Sequence, residues 1–322
     1  MTRIGPYTLP SKVLLAPMSG CTDLSFRMIA REHGARFCFF EMVDAHSVTY
    51  HRRKTFAMLK SCEGDDPIAV QILGNDPQIM LNAAREIISR VNAAFIDINA
   101  ACPAKKVIKK RAGAYLLKNG NTLCETIRLL ATSLSLPVTV KMRTGYGGES
   151  VSDITALARR CESSGAAAIF IHGRTRSQGY SGAVNYEAIR AVKDAVGIPV
   201  VGSGDVLSPE LAEMMLSRTG CDAILVARGS LGNPWIFSDI DNYLKSGGMM
   251  PRRGIKETKD VLKRHLSYMY KHMECGDPAK VGVMRKVALW YLRSLPNSKK
   301  MRGEISLVKT YEKMIKLIDS FN

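Results

Sequence analysis

AFIDINAACPAKK, residues 94–106, is the most informative segment of this sequence. It begins with β-forming residues at 95–98 and stops at a Cys-Pro pair, which indicates a strand followed by a stiffened loop. Side chains alternate along a strand, so Asp97 and Asn99 share one of its faces. These polar groups, the thiol of Cys102 and the two lysines that follow are typical of a reactive centre. The alternative is a buried structural cysteine, because free cysteine often behaves as a small hydrophobe.

Segments of this kind alternate with helical patterns up to about residue 245. The predicted strands are residues 13–16, 37–40, 68–73, 95–99, 138–141, 168–172, 200–203 and 223–226. Amphipathic helices are predicted between them, among others at 77–90, 151–163, 186–195 and 209–218. Eight such units predict an α/β fold, a (β/α)8 TIM barrel over residues 1–245. A doubly wound parallel sheet is the alternative, although no predicted strand is followed by a Gly-rich dinucleotide fingerprint.

The pattern changes beyond residue 250, where helical segments dominate. Amphipathic helices are predicted at 262–272, 281–292 and 307–318, so residues 251–322 form a predicted all-α domain. This C-terminal region holds 17 Lys and Arg against 7 Asp and Glu, whereas the rest of the chain holds 29 against 22. The whole chain has a formal net charge of +17, which favours a polyanionic partner such as nucleic acid. General solubility charge is the alternative.

Several classes of protein are disfavoured by the composition. Hydrophobic residues make up 46% of the 322 residues, which is enough for a large core. No apolar run approaches the roughly 18 residues that span a bilayer, and the N-terminus does not resemble a signal peptide. None of the eight cysteines forms a CxxC pair, which argues against a zinc or redox motif. We therefore expect a cytoplasmic protein without a membrane segment or a metal site.

Polar residues follow most of the predicted strands. In a parallel barrel, the C-terminal strand ends carry the active site, so these side chains should converge on one rim. They are Gln71, Asn99, Cys102, Lys141, Arg143, His172, Arg174, Arg176, Ser203, Asp205 and Arg228. Glycines at 202, 204 and 229 let backbone N–H groups approach an anion, so the last two loops predict a phosphate site. Glycines that serve only tight turns are the alternative.

Single residues on this rim allow more than one interpretation. Lys141 could form a Schiff base, or its charge could stabilise a reduced flavin. Gln71 suits the donor–acceptor edge of a flavin or base, but it could be a satisfied core amide. His172 could donate to a flavin or a phosphate, or bond a backbone carbonyl in the core.

Taken together and in order, the motifs resemble those of the tRNA-dihydrouridine synthases, and the bacterial B-type branch is most similar. The resemblance covers nearly the whole chain. It rests on APMSGCTDLSFR at 16–27, VQILG at 70–74, DINAACPAKKV at 97–107, GAYLL at 113–117, VKMRTG at 140–145, IHGRTRSQGYSG at 171–182, GSGDV at 202–206, ARGSLGNPWIF at 227–237 and RKVALWY at 285–291.

The resemblance implies an FMN-bearing barrel and a C-terminal helical domain that binds tRNA. The residues that it assigns to FMN are Ala16, Pro17, Met18, Gln71, Lys141, His172, Ser203, Gly204, Asp205, Ala227 and Arg228. The residues that it assigns to the nucleotide substrate and the tRNA are Asn99, Arg143, Arg174, Arg176, Arg285 and Lys286. Cys102 matches the general acid of the family.

The implied reaction is the reduction of specific tRNA uridines to 5,6-dihydrouridine, with NADPH or NADH as the reductant. Hydride passes from flavin N5 to uracil C6, and Cys102 gives a proton to C5. The expected state is a monomer. One alternative is a flavin barrel that reduces a free pyrimidine, which would need no basic domain. Another is a non-catalytic tRNA-binding protein, which would need neither Cys102 nor Lys141.

Five positions depart from the usual family pattern. Ala100-Ala101 stand where Met-Gly is common, and Ser203 stands where Asn is common. Arg111 replaces a frequent glycine, and Val287 replaces a frequent histidine. None of these changes removes Cys102.

Overall fold

Eight parallel strands form the centre of the protein, whose residues 2–321 are described by a computed structural model. The strands are β1 (Val13–Leu15), β2 (Cys38–Phe39), β3 (Ile68–Leu73), β4 (Ile96–Ala100), β5 (Val138–Arg143), β6 (Ala168–His172), β7 (Val200–Ser203) and β8 (Ala223–Val226). Each pairs with the next from β2 to β8, and β8 pairs with β1. The Leu15 N–H donates to the Phe37 carbonyl oxygen (2.9 Å), which joins β1 to the start of β2. The predicted TIM barrel is therefore confirmed.

Ten helices accompany these strands within the described part of the barrel. They are α1 (Leu24–Glu32), α2 (Ala45–Thr49), α3 (Arg53–Ala57), α4 (Pro77–Ile88), α5 (Lys105–Lys109), α6 (Gly120–Ser133), α7 (Val151–Ser163), α8 (Tyr186–Ala195), α9 (Pro209–Thr219) and α10 (Ile236–Ser246). Short 3₁₀ turns lie at Gly113–Leu117 and Arg228–Ser230. Polar side chains cap several of these helices. At α7 the Ser150 side chain accepts from the Asp153 N–H while the Asp153 carboxylate accepts from the Ser150 N–H.

The predicted strand bounds agree with the structure to within two residues. The largest difference is at β5, which continues to Arg143 because its pairing with β6 persists as far as Arg143 opposite His172. A two-residue strand at Val43–Asp44, which pairs with β3, was not predicted. Neither was the N-terminal hairpin, in which Arg3–Ile4 pairs with Tyr7–Thr8.

The barrel interior is apolar at its base and polar at its top. Phe37 stacks on Phe95 at a ring separation of 5.2 Å, and Phe39 meets Phe170 edge to face at 5.4 Å. These buried rings fill the lower interior of the barrel. Above Phe95, the alternating inward positions of β4 are polar, so the interior opens into a polar cleft at the C-terminal strand ends.

The C-terminal region is helical, as predicted. Its helices are α11 (Ile255–His272), α12 (Asp277–Leu292), α13 (Lys299–Leu307) and α14 (Tyr311–Ser320). The predicted helix at 307–318 is wrong at its start, because Val308 is extended and the Thr310 side chain caps a new helix by accepting from the Lys313 N–H.

The apolar core of the C-terminal region includes two residues of the barrel part. Ile29 of α1 and Trp235 belong to the same buried cluster as Leu266, Met284 and Ile305. The division into domains at 1–245 and 251–322 stays a prediction, since this core crosses it. No helix among residues 2–321 is both long and apolar enough to cross a membrane.

Candidate active site

A cleft of about 540 Å³ lies at the C-terminal ends of the barrel strands. Fourteen of the residues predicted for the site line it. They are Ala16, Pro17, Met18, Gln71, Asn99, Cys102, Lys141, Arg143, His172, Ser203, Gly204, Asp205, Ala227 and Arg228. The structure therefore brings together side chains that come from strands all around the barrel.

A chain of hydrogen bonds crosses three strands beneath this cleft. Asp97, fully buried, accepts from the Thr139 hydroxyl and from Gln71 Nε2, both at 2.7 Å. Asn99 Nδ2 in turn donates to Gln71 Oε1 at 2.7 Å. An ionised carboxylate only accepts, so it fixes which end of each amide faces its neighbour. Burial raises the pKa of Asp97 to about 6, although the Thr139 and Gln71 hydrogen bonds and the charge of Lys141 act in the opposite direction.

The loop of Cys102 is held through four backbone groups. Asn99 Oδ1 accepts from the N–H groups of Ala101 (3.0 Å) and Cys102 (2.9 Å), the short-range bonding that asparagine makes in turns. Arg143 Nε donates to the Ala101 carbonyl oxygen at 2.7 Å. The Ala114 N–H donates to the Cys102 carbonyl oxygen at 3.1 Å. The half-buried thiol of Cys102 is thus presented to the cleft from a fixed backbone.

Burial lowers the pKa of two basic side chains that line the cleft, Lys141 and His172. Burial, and then the charge of Arg143, lowers the pKa of Lys141 to about 8. Burial, and then the charge of Lys141, holds the pKa of His172 far below its usual range, so its imidazole stays neutral. His172 Nδ1 lies 3.4 Å from the Ser203 hydroxyl, whereas its buried Nε2 has no hydrogen-bond partner among residues 2–321. A buried polar atom of this kind indicates a ligand that supplies the missing partner.

The loops after β6, β7 and β8 meet at Asp205. Its carboxylate pairs with Arg174 and accepts from Arg228 Nη2 at 2.7 Å. Gly204 and Asp205 both have positive φ, +132° and +48°, and a Cβ on Gly204 would lie 2.9 Å from Val184. This tight backbone turn leaves the guanidinium of Arg228 partly exposed at the cleft wall.

The three arginines predicted to face the substrate differ in position, and only Arg143 lines the cleft. Arg143 lines the cleft, but its guanidinium also donates to the carbonyl oxygens of Thr175 (3.0 Å) and Gly179 (2.9 Å). Arg174 is buried and is not part of the cleft wall. Arg176 also lies off the wall, where its guanidinium sits 5.0 Å from the centre of a neighbouring tyrosine ring.

The two predicted tRNA-contacting residues of α12 lie outside the cleft, and only Lys286 contacts a loop of its rim. Arg285 Nη1 donates to the Ser306 carbonyl oxygen at 3.0 Å. Lys286 is exposed and donates to the Gly20 carbonyl oxygen in the loop after β1. That loop also carries Cys21, which lines the cleft.

Sequence reasoning did not single out Cys21 and Tyr180. Cys21 is a second thiol in the cleft wall, which also includes Lys106, one of the two lysines that follow Cys102. Tyr180 lines the cleft with its ring 59% exposed, although its motif, RSQGYSG, had been singled out. An aromatic residue between glycines in a strand-end loop is the signal that could have found it.

Arg111, one of the departures from the family pattern, has a positive φ of +57°. This is a conformation that glycine adopts without strain and arginine does not. Nothing in the structure explains why arginine stands there. Among residues 2–321, no group of three or more His, Cys, Asp or Glu side chains is arranged to hold a metal ion.

A closed parallel barrel with a cationic cleft at its C-terminal strand ends is the architecture of a TIM-barrel enzyme. The family model described as "Dihydrouridine synthase (Dus)" matches residues 14–321. The chain therefore belongs to the dihydrouridine synthase family.

Similar proteins and structures agree with this assignment. The tRNA-dihydrouridine synthase B of Pseudomonas aeruginosa is 39% identical over 306 residues, which cover 95% of this chain and 91% of that protein. The tRNA-dihydrouridine synthase B of Vibrio cholerae is 35% identical over 320 residues, covering 99% of this chain and 98% of that protein.

Solved structures with a similar fold are more distant in sequence. A 2-naphthoyl-CoA reductase complex has a TM-score of 0.59 at 12% identity, covering 74% of this chain and 51% of that chain. Histamine dehydrogenase from Rhizobium sp. 4-9 has a TM-score of 0.56 at 15% identity, covering 89% and 50%. At this identity the likeness concerns the fold alone.

Proposed function

We propose that the protein reduces uridine in tRNA to 5,6-dihydrouridine, with FMN as its cofactor and NADPH or NADH as the reductant. The observation that carries the proposal is the convergence of Cys102, Lys141, Gln71 and the partnerless His172 Nε2 on one cleft, in a chain of the dihydrouridine synthase family. A free-pyrimidine reductase, the rival enzyme, leaves the basic C-terminal region without a role. A non-catalytic tRNA-binding protein would leave the polar cleft without a role.

The residues present fit FMN. His172 Nε2 needs a partner, and Gln71 has a second amide hydrogen beyond the one that it gives to Asp97. These two side chains and Lys141 would hold the ring, with Ala16, Pro17 and Met18 against it. Ser203, Gly204, Asp205, Ala227 and Arg228 would hold the ribityl chain and its single phosphate. Bound there, FMN supplies the hydride that uracil C6 accepts.

Cys102 is the proposed general acid, which gives its proton to C5 of the base. Asn99, whose Oδ1 accepts from the Cys102 N–H and whose side chain also lines the cleft, would orient the uracil. His172 is a poor alternative acid, because its pKa is held far below the neutral range and it carries no spare proton. Cys21 is the other thiol in the wall and provides the matched comparison.

The C-terminal region is the proposed main tRNA-binding surface, since its 17 basic residues face only 7 acidic ones. Cations placed against phosphates release counterions, which makes the affinity fall steeply with salt. Lys286 contacts the loop after β1 at the cleft rim, where a tRNA that inserts a base would pass, and Arg285 precedes it on α12. Arg143, Arg174 and Arg176 would act on the substrate side of the barrel, the first two through the loop that they hold.

The test is a single-turnover reaction of the reduced protein with tRNA that lacks dihydrouridine, read by mass mapping of the product. We expect wild-type protein to purify with FMN and to form dihydrouridine. Cys102→Ala should keep its FMN and slow the reaction by about 10²–10⁴-fold, the usual value of a placed acid. Cys21→Ala should react at nearly the wild-type rate.

Each component of the proposal can fail separately. FAD, or no flavin, on purification would contradict the cofactor. A wild-type protein that leaves tRNA uridines unchanged would contradict the reaction. Equal rates for Cys102→Ala and wild type would show that another group supplies the proton.

A further inference from the structure

Tyr180 is the only Phe, Tyr or Trp among the described residues that line the cleft. Its ring is 59% exposed, so it does not serve the core. The guanidinium carbons of Arg228 and Arg143 lie 4.9 and 5.7 Å from the ring centre. The ring therefore stands at the mouth of the cleft, held by cations and still open to a further partner.

The loop that carries Tyr180 is fixed on both sides by buried arginines. Arg143 donates to the carbonyl oxygen of Gly179, the residue immediately before the ring. Arg174 Nε donates to the carbonyl oxygens of Ser181 (3.1 Å) and Gly182 (3.0 Å), immediately after it. Arg174 is in turn paired with Asp205.

This arrangement is unusual for an exposed loop. Ordering a residue costs conformational entropy, and burying arginines requires that their charges be paired or hydrogen-bonded. Here both arginines use their donors to hold the segment 179–182, and the only large side chain of that segment points to the cleft wall. A ring immobilised in advance binds a flat partner without a further ordering cost.

We propose that Tyr180 is a stacking platform for a nucleobase of tRNA adjacent to the target uridine. The inference rests on the proposed function. A base that leaves its stack exposes the faces of its neighbours, and an aromatic side chain at the mouth of the site can replace the lost stacking.

The first experiment compares equilibrium tRNA affinities of wild type, Tyr180→Ala and Tyr180→Phe in FMN-loaded protein at one fixed salt concentration. Stacking on one base corresponds to roughly 5- to 150-fold in affinity, so Tyr180→Ala should bind more weakly by that factor. Tyr180→Phe keeps the ring and should bind within about twofold of wild type. Tyr50→Ala is the matched control, since Tyr50 is 71% exposed and does not line the cleft.

The second experiment identifies the partner base. The target uridine is first located by mass mapping, and tRNAs with one abasic nucleotide on its 5′ or 3′ side are then titrated. If Tyr180 stacks on that base, the abasic tRNA should weaken binding to wild type but not weaken binding to Tyr180→Ala any further.

Three results would overturn the inference. The first is a Tyr180→Ala variant that binds tRNA as tightly as wild type does. The second is a Tyr180→Ala penalty that persists unchanged on both abasic tRNAs. A parallel loss of FMN affinity in Tyr180→Ala, measured by flavin titration, would mean that the ring packs on the cofactor instead. If wild type reduces tRNA and Tyr180→Ala binds normally, only this inference fails; if wild type neither binds nor reduces tRNA, the proposed function fails as well.

Discussion

Asp97 determines the direction of the hydrogen bonds that run from Thr139 through Gln71 to Asn99. Its carboxylate can only accept, so the Gln71 amide nitrogen faces it and the Gln71 oxygen faces Asn99. Asn99 then has its own oxygen free for the backbone of Cys102. One buried charge thus sets the orientation of two amides that would otherwise be free to turn over.

Replacing this carboxylate by an amide gives the first prediction. Because burial raises the pKa of Asp97 from 3.8 to about 6, the folded state binds its proton more tightly than the unfolded state. Ionisation of Asp97 therefore opposes folding. The protonated carboxyl contributes about 3 kcal/mol of stability at low pH, and this contribution is lost as the pH rises from about 4 to about 6. Relative to wild type, Asp97→Asn should thus be more stable at pH 7 than at pH 4 by about that amount. Urea unfolding of both proteins at pH 4 and pH 7 measures the difference in their free energies of unfolding. The same difference at the two pH values would contradict the raised pKa.

At the scale of elements, the loops after β6, β7 and β8 depend on one acidic residue. Arg174 is buried, and its carboxylate partner Asp205 is partly exposed with a positive φ that asparagine also tolerates. Asp205→Asn should therefore remove the charge without straining the backbone. It leaves Arg174 unpaired, which should cost about 2–4 kcal/mol of stability.

The matched control for this variant is Asp194→Asn. Asp194 pairs with Arg190 on α8, and both side chains are about two-thirds exposed, so the loss should be within about 0.5 kcal/mol. The Arg174 hydrogen bond holds the pKa of Asp205 below 3.8, so its contribution persists above that pH and is lost only as the pH falls below it. Urea unfolding at pH 7 and flavin titration measure both variants; equal losses would show that the Asp205 ion pair does not hold the loops.

Most elements could be predicted from the sequence because the barrel strands are short, apolar and periodic. The inward positions of β4 follow directly from alternation, which placed Asp97 and Asn99 on one face. The partners of Arg143 and Arg174 could not be predicted, because a guanidinium at a strand end can point to substrate or to backbone. Only the folded loop at 179–182 shows that its carbonyl oxygens take these donors.

At the scale of the whole molecule, the barrel and the C-terminal region meet at very short range. Gly232, with φ of +72°, packs so closely that a Cβ there would lie 2.4 Å from the carbonyl carbon of Trp290. Phe26 of α1 meets the ring of His265 edge to face at 5.8 Å. These contacts lie beside the buried cluster in which Ile29 and Trp235 pack against residues of the C-terminal helices.

Gly232→Ala tests how strongly this contact matters. The new methyl group must displace backbone atoms of α12, so we expect a loss of roughly 1–3 kcal/mol beyond the cost of an alanine at positive φ. Gly220→Ala isolates that second cost, about 1–2 kcal/mol, because Gly220 has φ of +66° and nothing within 4 Å of its Cβ position. Thermal unfolding of the two variants compares them, and equal losses would mean that the junction adapts freely.

The shared cluster of Ile29, Trp235 and the C-terminal helices also limits how this protein can diversify. A chimera that exchanges only residues 251–322 with a relative would set foreign side chains against Ile29, Trp235 and Gly232. Recombination would have to carry α1 and the segment 228–246 together with the incoming helices. The region proposed to bind tRNA is thus inherited together with the barrel residues that it contacts. A change of RNA target therefore requires both sides of the junction to evolve together.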